Sequence, residues 1–262
     1  MKKVELSGRM QAVADYVTVG NKVCDVGCDH GYVSIYLVQE KVAPAVLAMD
    51  VNRGPLLRAK EHVKQYGLEE YITLRLSDGL TAYQKGEAQT LICAGMGGRL
   101  LWNILSKEPE KTRDFSELIL QPQSEIGLFR RSLRKEGYLI LAENMILEDG
   151  KFYPIMKVKP PSSLPDGMAG TEKEADGGEP EGVNTGEDEK SRLEDAFGPY
   201  LLQEKHPVLL QFLHHETALK KSILQQLEQA EENEKILARK KTLMEEIALL
   251  EKAKEQMTEM GT

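Results

Sequence analysis

The chain has 262 residues, with 34 Lys+Arg against 42 Asp+Glu and three cysteines. That length supports one domain with a sizeable core plus an accessory piece, while the odd cysteine count without an extracellular signature argues against a disulfide framework and for a reduced, cytoplasmic setting. No apolar run approaches the roughly 18 residues of a membrane span, and the N-terminus lacks the apolar core of a secretion signal. The net charge of −8 is unevenly spread. Residues 1–160 carry 22 Lys+Arg and 20 Asp+Glu, residues 161–190 carry 2 and 9, and residues 191–262 carry 10 and 13. The acidic balance therefore does not argue against an anionic partner for the rest of the chain.

Residues 5–19 read as a helix, with Leu6, Met10, Val13, Ala14 and Val17 at three- and four-residue steps and Ser7 near its start. Arg9 on this helix is either a solvated cation or a functional one. A short apolar strand, Lys22 to Asp25, then breaks at Gly27, and Gly27 and Gly31 release the chain into a helix from Tyr32 to Glu40. Further strands are expected at Ala45–Asp50, Ile72–Leu76, Thr90–Ala94 and Ser116–Leu120, with helices from Asn52 to Tyr66, Arg99 to Lys107 and Ser124 to Lys135. Tyr138–Leu147 and Phe152–Val158 pair as a hairpin across Glu148-Asp149-Gly150. Near-continuous apolar strands alternating with helices predict an α/β fold, a doubly wound and mostly parallel sheet covered on both faces.

The functional signal lies where these strands end. A strand, a glycine turn and a helix N-terminus make a site for a ligand that lies on backbone. The turn reads Asp25-x-Gly27-x-x-x-Gly31, without the middle glycine of the dinucleotide fingerprint. A strand-end acid suits a cationic amine better than a diphosphate. Asp50 ends the next strand at about the spacing where an acid meets ribose hydroxyls, and Asp78-Gly79 and Gly95-Met96 end the two after that. Each acid alone is also readable as a turn or capping residue; four such strand ends in succession point to a ligand site at the carboxyl edge. Cys24 and Cys28 have no second pair or histidine cluster beside them, so no metal site is expected, and His206, His214 and His215 read as loop or surface groups.

The motifs Asp25-x-Gly27-Cys28-Asp29-His30-Gly31, Ser77-Asp78-Gly79, Cys93-Ala94-Gly95-Met96-Gly97-Gly98, Gln121-Pro122-Gln123 and Glu148-x-Gly150-Lys151-Phe152-Tyr153, with Leu6-Ser7-x-Arg9 before them, resemble a class I S-adenosylmethionine methyltransferase. More narrowly, they are similar to the bacterial tRNA (adenine-N1)-methyltransferases that modify position 22, the TrmK family. The likeness spans about residues 1–160 and resumes at Phe197-Gly198-Pro199 and Lys205-His206-Pro207. It implies a Rossmann-like seven-stranded sheet with the last strand antiparallel, a C-terminal helical coiled-coil hairpin, S-adenosyl-L-methionine as methyl donor and tRNA as partner. By the same likeness Asp25, Gly27 and Cys28 face the methionine part of the cofactor, Asp50 its ribose, Asp78 and Gly79 its adenine, and Gly95 and Met96 the transfer centre. Asp29, with His30 second, is the candidate to take the proton that leaves the adenine amino group; Asp29 is equally readable as a helix cap. Arg9 and Gln121 are expected on the substrate side. A flipped adenine is expected, because N1 is otherwise hidden by pairing or stacking.

The expected organisation is a Rossmann-like catalytic domain over 1–160, an acidic disordered linker over 161–192 and a helical coiled-coil domain over 193–262. The family passes quickly from its last strand to Phe-Gly-Pro, so the Gly- and Glu-rich stretch Pro161 to Lys190 is an insertion. In the tail, Phe212, Leu219, Ile223, Gln226 and Ala230, then Ile236, Leu243, Ile247, Leu250 and Met257, step by about 3.5 residues and predict two antiparallel helices across Glu231–Glu234. Lys220-Lys221 and Arg239-Lys240-Lys241 are interleaved with Glu, which weakens the case for phosphate contact there. A monomer with neither metal nor membrane partner is the favoured assembly. The alternatives are another S-adenosylmethionine-dependent RNA methyltransferase, a methyltransferase-like module that binds RNA or cofactor without turnover, and a nicotinamide oxidoreductase, against which the missing glycine counts.

Overall fold

A computed structural model describes residues 3–161, 189–229 and 233–258. In chain order the elements are α1 (Gly8–Asp15), β1 (Val23–Val26), α2 (Tyr32–Gln39), β2 (Val46–Asp50), α3 (Arg53–Gln65), β3 (Ile72–Leu76), β4 (Thr90–Met96), α4 (Gly98–Lys107), α5 (Pro109–Thr112), β5 (Glu117–Pro122), α6 (Ile126–Lys135), β6 (Leu139–Glu148) and β7 (Lys151–Lys159). The helices α7 (Glu189–Phe197), α8 (Pro199–Gln203), α9 (Pro207–Glu228) and α10 (Glu234–Thr258) follow. The strands form one seven-stranded sheet in the order β3-β2-β1-β4-β5-β7-β6. The first five are parallel, and β7 runs antiparallel to both β5 and β6. Every residue of β1, β2 and β5 is buried, as strands covered on both faces must be. One face packs Cys24, Val26, Met49 and Leu120 against Leu101, Leu105 and Phe129 of α4 and α6. The other packs Val23, Ala48, Ile92 and Ile119 against Val13, Ile35 and Val63 of α1, α2 and α3.

Strand order reverses between β1 and β4, and a ligand site is expected outside their carboxyl ends. Several bounds there differ from the sequence expectation. The first helix is only Gly8–Asp15 because Thr18 gives its N–H and hydroxyl to the Glu117 carboxylate, at 2.9 and 2.7 Å, rather than to a helical carbonyl. Ser7 does cap its start. β4 continues past Ala94 to Met96, because a bulge at Gly95, with φ +81°, lets Met96 pair again with β5 at Pro122. α6 begins at Ile126 rather than Ser124, after Glu125 at φ +51°.

The C-terminal helices dock on the outer strands. Met145 of β6 and Phe152 of β7 join Leu193, Phe197, Leu201, Leu209, Leu213 and Leu250 in a third core. Beside it Arg130, buried in α6, donates from Nε to Glu143 of β6 at 2.8 Å and from Nη1 to the carbonyls of Asp195 and Ala196. Arg134 grips the Asp195 carboxylate with two nitrogens. Gly198 sits at φ +97°, where a Cβ would fall 2.5 Å from the Glu143 carboxylate, and the Tyr200 N–H donates to that carboxylate. His206 is half-buried; its Nε2 lies 3.0 Å from Asn144 Oδ1 and its Nδ1 accepts from the Val208 N–H. The Phe-Gly-Pro and Lys-His-Pro segments are thus docking devices.

α9 and α10 form the expected pair, tied by Lys220–Glu246 and Lys221–Glu251. The apolar stripe of α10 holds at Leu243, Leu250 and Met257. On α9 the phase is different: Leu209, Leu213 and Thr217 are buried while Leu219 is exposed, because this helix faces β6 as well as α10. The acidic insertion lies outside the described residues apart from its ends, and α7 already begins at Glu189; Ala230 and the first half of the polar break, Glu231 and Glu232, lie outside them too.

Candidate active site

The carboxyl edge at the β1/β4 switch carries a cavity of about 190 Å³. Asp25, Gly27, Cys28, Asp29 and His30 line it, closed by Met10, Tyr32, Val33, Ile92 and Ala94. Five of the anticipated residues therefore meet in one place. Asp25 is buried, and its Oδ2 accepts a 2.6 Å hydrogen bond from Ser34 of α2. Its carboxyl is raised to about 6, by burial first and by the charge of Asp50 in smaller part, against the lowering effect of the Ser34 hydroxyl. The Gly27 turn is held by two N–H bonds, from Gly27 and Cys28, onto the Met49 carbonyl. Gly27 has φ +76°, and a Cβ there would fall 2.2 Å from the Met96 methyl, so the turn and Met96 require a glycine between them. Burial raises the Cys28 thiol well above its ordinary value, leaving it a neutral lining group.

Asp29 adopts φ +48° and is mostly exposed, with His30 Nε2 3.5 Å from its carboxylate. Gly31 occupies the N-cap of α2 and no side chain caps it. The capping role open to Asp29 in the sequence is therefore not the one it has. Asp50, buried at the end of β2, orders its turn by accepting from the Asn52 N–H at 2.8 Å. Asp78 stands one strand further out, exposed and paired with Lys107 at 2.7 Å. Gly79 follows at φ +55° against Ile104.

A second group forms on the other side of the cavity. Gln121 is fully buried; its Oε1 accepts from Arg9 Nη1 at 2.9 Å and from the Gly95 N–H at 3.1 Å, and its Nε2 donates to the Pro122 carbonyl. Its amide is spent on positioning Arg9 and the Gly95 bulge. Arg9 also lies 5.0 Å over the Tyr153 ring, and its backbone N–H donates to Glu148. Ser34 has no part in the sequence reading, and Tyr153 enters it only as a member of the Glu148–Tyr153 motif, with no role attached. Ser34 had a readable signal: a lone hydroxyl on the buried face of the apolar run Tyr32–Val38 must find a partner. Tyr153 is set by the hairpin's register, which no local pattern encodes.

A carboxylate beneath a glycine turn, an acid at the next strand end and backbone N–H groups at a helix start suit a ligand that carries both a cationic amine and hydroxyls. No described set of three or more His, Cys, Asp or Glu side chains gathers closely enough to hold a metal ion, and no described helix is long and apolar enough to cross a membrane. Residues 6–156 match the methyltransferase domain family. The chain is 32% identical over 250 residues to the tRNA (adenine(22)-N(1))-methyltransferase of Bacillus subtilis, covering 95% of this chain and 97% of that protein. Among solved structures it is similar to the B. subtilis M1A22 tRNA methyltransferase TrmK, with TM-score 0.76 and 30% identity over 96% of this chain and 99% of that one. It is also similar to a putative tRNA (m1A22) methyltransferase of Streptococcus pneumoniae in complex with S-adenosyl-L-methionine, with TM-score 0.75 and 28% identity over 95% and 99% of the two chains.

Proposed function

The chain belongs to the tRNA (adenine(22)-N1)-methyltransferase family, and on that premise we propose how its own residues carry the reaction. The activity is transfer of a methyl group from S-adenosyl-L-methionine to N1 of adenosine 22 in tRNA. The observation that carries the residue-level reading is Asp25: a buried carboxylate without a cationic partner among the described residues, opening on the cavity under the Gly27 turn.

The side chains present fit the cofactor. Asp25 offers a charge partner for the amino group of its methionine part, and the bare backbone of Gly27 and Cys28 admits close approach. Asp50 is placed for the ribose hydroxyls. Asp78 and Gly79 are placed for the adenine, where Asp78 would exchange Lys107 for the ligand. Gly95 and Met96 flank the transfer centre. When bound, the cofactor supplies an activated sulfonium methyl; the protein's share is alignment and exclusion of water.

Gln121 holds Arg9 and the Gly95 bulge in one arrangement, so Arg9 orients the target base as a fixed rather than a mobile cation. The Asp29 carboxylate, free of capping duty and beside His30, is assigned to the exocyclic amino group of the adenine, where it accepts the proton as positive charge develops. His30 steadies that carboxylate. Three buried free thiols support a reducing, cytoplasmic setting, and we take the working unit to be a monomer. Tritiated methyl incorporation into unmodified bacterial tRNA, with reverse-transcription arrest mapping the product, tests the reading. Incorporation that survives replacement of adenosine 22 by guanosine would overturn it.

A further inference from the structure

We infer that the surface leading from the cavity mouth onto α3 is a second contact for the tRNA, in which Arg58, Lys60 and Lys64 hold phosphates and the Tyr32 and His62 rings stack a base. This rests on the methyl-transfer reading above. His30 and Tyr32 form part of the cavity wall. The rings of Tyr32 and His62 stack at 4.7 Å and 22°, with Tyr32 43% exposed. His62 Nδ1 lies 2.9 Å from the His30 carbonyl, which pins that ring to the glycine turn. A rigid, half-exposed aromatic pair beside a nucleotide site is a ready stacking platform.

α3 supplies charge next to it. Arg53, Arg58, Lys60 and Lys64 face a single acid, Glu61, and all four cations are exposed. None of them is in an ion pair with a described residue. Arg58 lies one turn before His62, and Lys60 one turn before Lys64, so each pair shares a side of the helix. The hairpin differs. Lys220 is held by Glu216 and Glu246, Lys221 by Glu251, Arg239 by Glu246, Lys252 by Glu189 and Lys254 by Glu251, which leaves Lys235 and Lys241 of the 25-residue α10 without an ion pair to a described residue, against four cations on the 13-residue α3. A cation already neutralised must surrender its partner before it meets a phosphate, whereas an unpaired one only exchanges counterions. The denser set of unpaired cations therefore lies on α3, and the main electrostatic contact is assigned there.

The test uses the full chain and a fluorescein-labelled unmodified tRNA with adenosine at position 22, followed by anisotropy across a salt series. The variant R58A/K60A/K64A is expected to bind about tenfold more weakly at 0.1 M salt, with the slope of log affinity against log salt shallower by about 2–3, near 0.7–0.9 per lost phosphate contact. K220A/K221A/R239A should change that slope by less than one. Tyr32→Ala should weaken binding several-fold with the slope unchanged, because stacking releases no counterions, and Tyr32→Phe should restore it. Calorimetry with S-adenosylmethionine and a melting curve verify that the α3 variant is folded and keeps its cofactor site. A folded α3 variant with wild-type affinity and slope sinks the inference even if the chain methylates tRNA. A wild-type chain that methylates no tRNA sinks the function instead, and the slopes still decide the surface.

Discussion

Asp25 and Glu143 are both buried carboxylates on the same sheet, in opposite surroundings. Glu143 has the Arg130 guanidinium at 2.8 Å and the Tyr200 N–H, and Arg130 also ties the carbonyls of Asp195 and Ala196, leaving only its Nη2 without a partner. Asp25 has one neutral hydroxyl, that of Ser34, and a like charge nearby in Asp50. The first carboxylate is consumed in joining the helical unit to the sheet. The second is held at a cost to folding and stays available to a ligand. A buried charge with nearly complete partners is structural, and one whose partner is missing faces the chemistry.

The largest effect is expected where the compensated pair is broken. Glu143→Ala leaves the Arg130 guanidinium buried without a counter-charge and should lower stability by about 3–5 kcal/mol, read as a fall in urea midpoint. Ending the chain after Lys159 removes Asp195, Ala196 and Tyr200 at once and bares Met145 and Phe152, so that fragment should aggregate rather than behave as a catalytic domain. A soluble, cooperative fragment would show that the docking seam is not part of the sheet domain's core.

Asp25→Asn reverses the pattern. Loss of the charged acceptor should cost about 1.5–3 kcal/mol of S-adenosylmethionine affinity, read by calorimetry, with a melting temperature no lower than wild type. Reduced stability with unchanged affinity would erase the distinction between the two carboxylates. Asp50→Ala should weaken the cofactor by a similar amount with no such relief of folding.

The pH dependence follows from the same residue. The folded carboxyl is raised from 3.8 to about 6, so between about pH 4 and pH 6 the folded chain holds more protons than the unfolded one. Asp25 alone then makes the cofactor-free protein less stable as pH rises through that window. Cofactor affinity should run the other way, flat above about pH 6 and falling by up to about tenfold per unit below it, because the ionised form meets the ligand amine. A flat profile down to pH 5 would assign that amine to another group. The smallest change is expected from Ser34→Ala. It removes the one interaction that favours the charged form of Asp25, so the affinity midpoint moves to higher pH and affinity at pH 7 drops only a few-fold.

Much of this was legible locally. Apolar runs ending in Asp25, Asp50 and Asp78 and glycines at 27, 31, 79 and 95 are one-dimensional patterns, because a buried parallel strand and a turn with positive φ each restrict the residue in place. They mark the strands nearly to the residue and the carboxyl edge at which the cavity lies. The phase of α9 departs from its 3.5-residue stripe because the helix packs against β6 as well as α10, so two neighbours share one helix.

What the chain determines by itself is the alternation of strands and helices, the acids and glycines at strand ends and the family to which they point, since each depends on neighbours within a few residues. Tertiary structure alone decided that Gln121 is a buried brace for Arg9, that position 198 must lack a Cβ beside Glu143, and that most hairpin cations are paired while those of α3 have no ion pair to a described residue. The contacts that decide them join residues 26 to 112 apart, and only packing brings such partners within hydrogen-bonding reach.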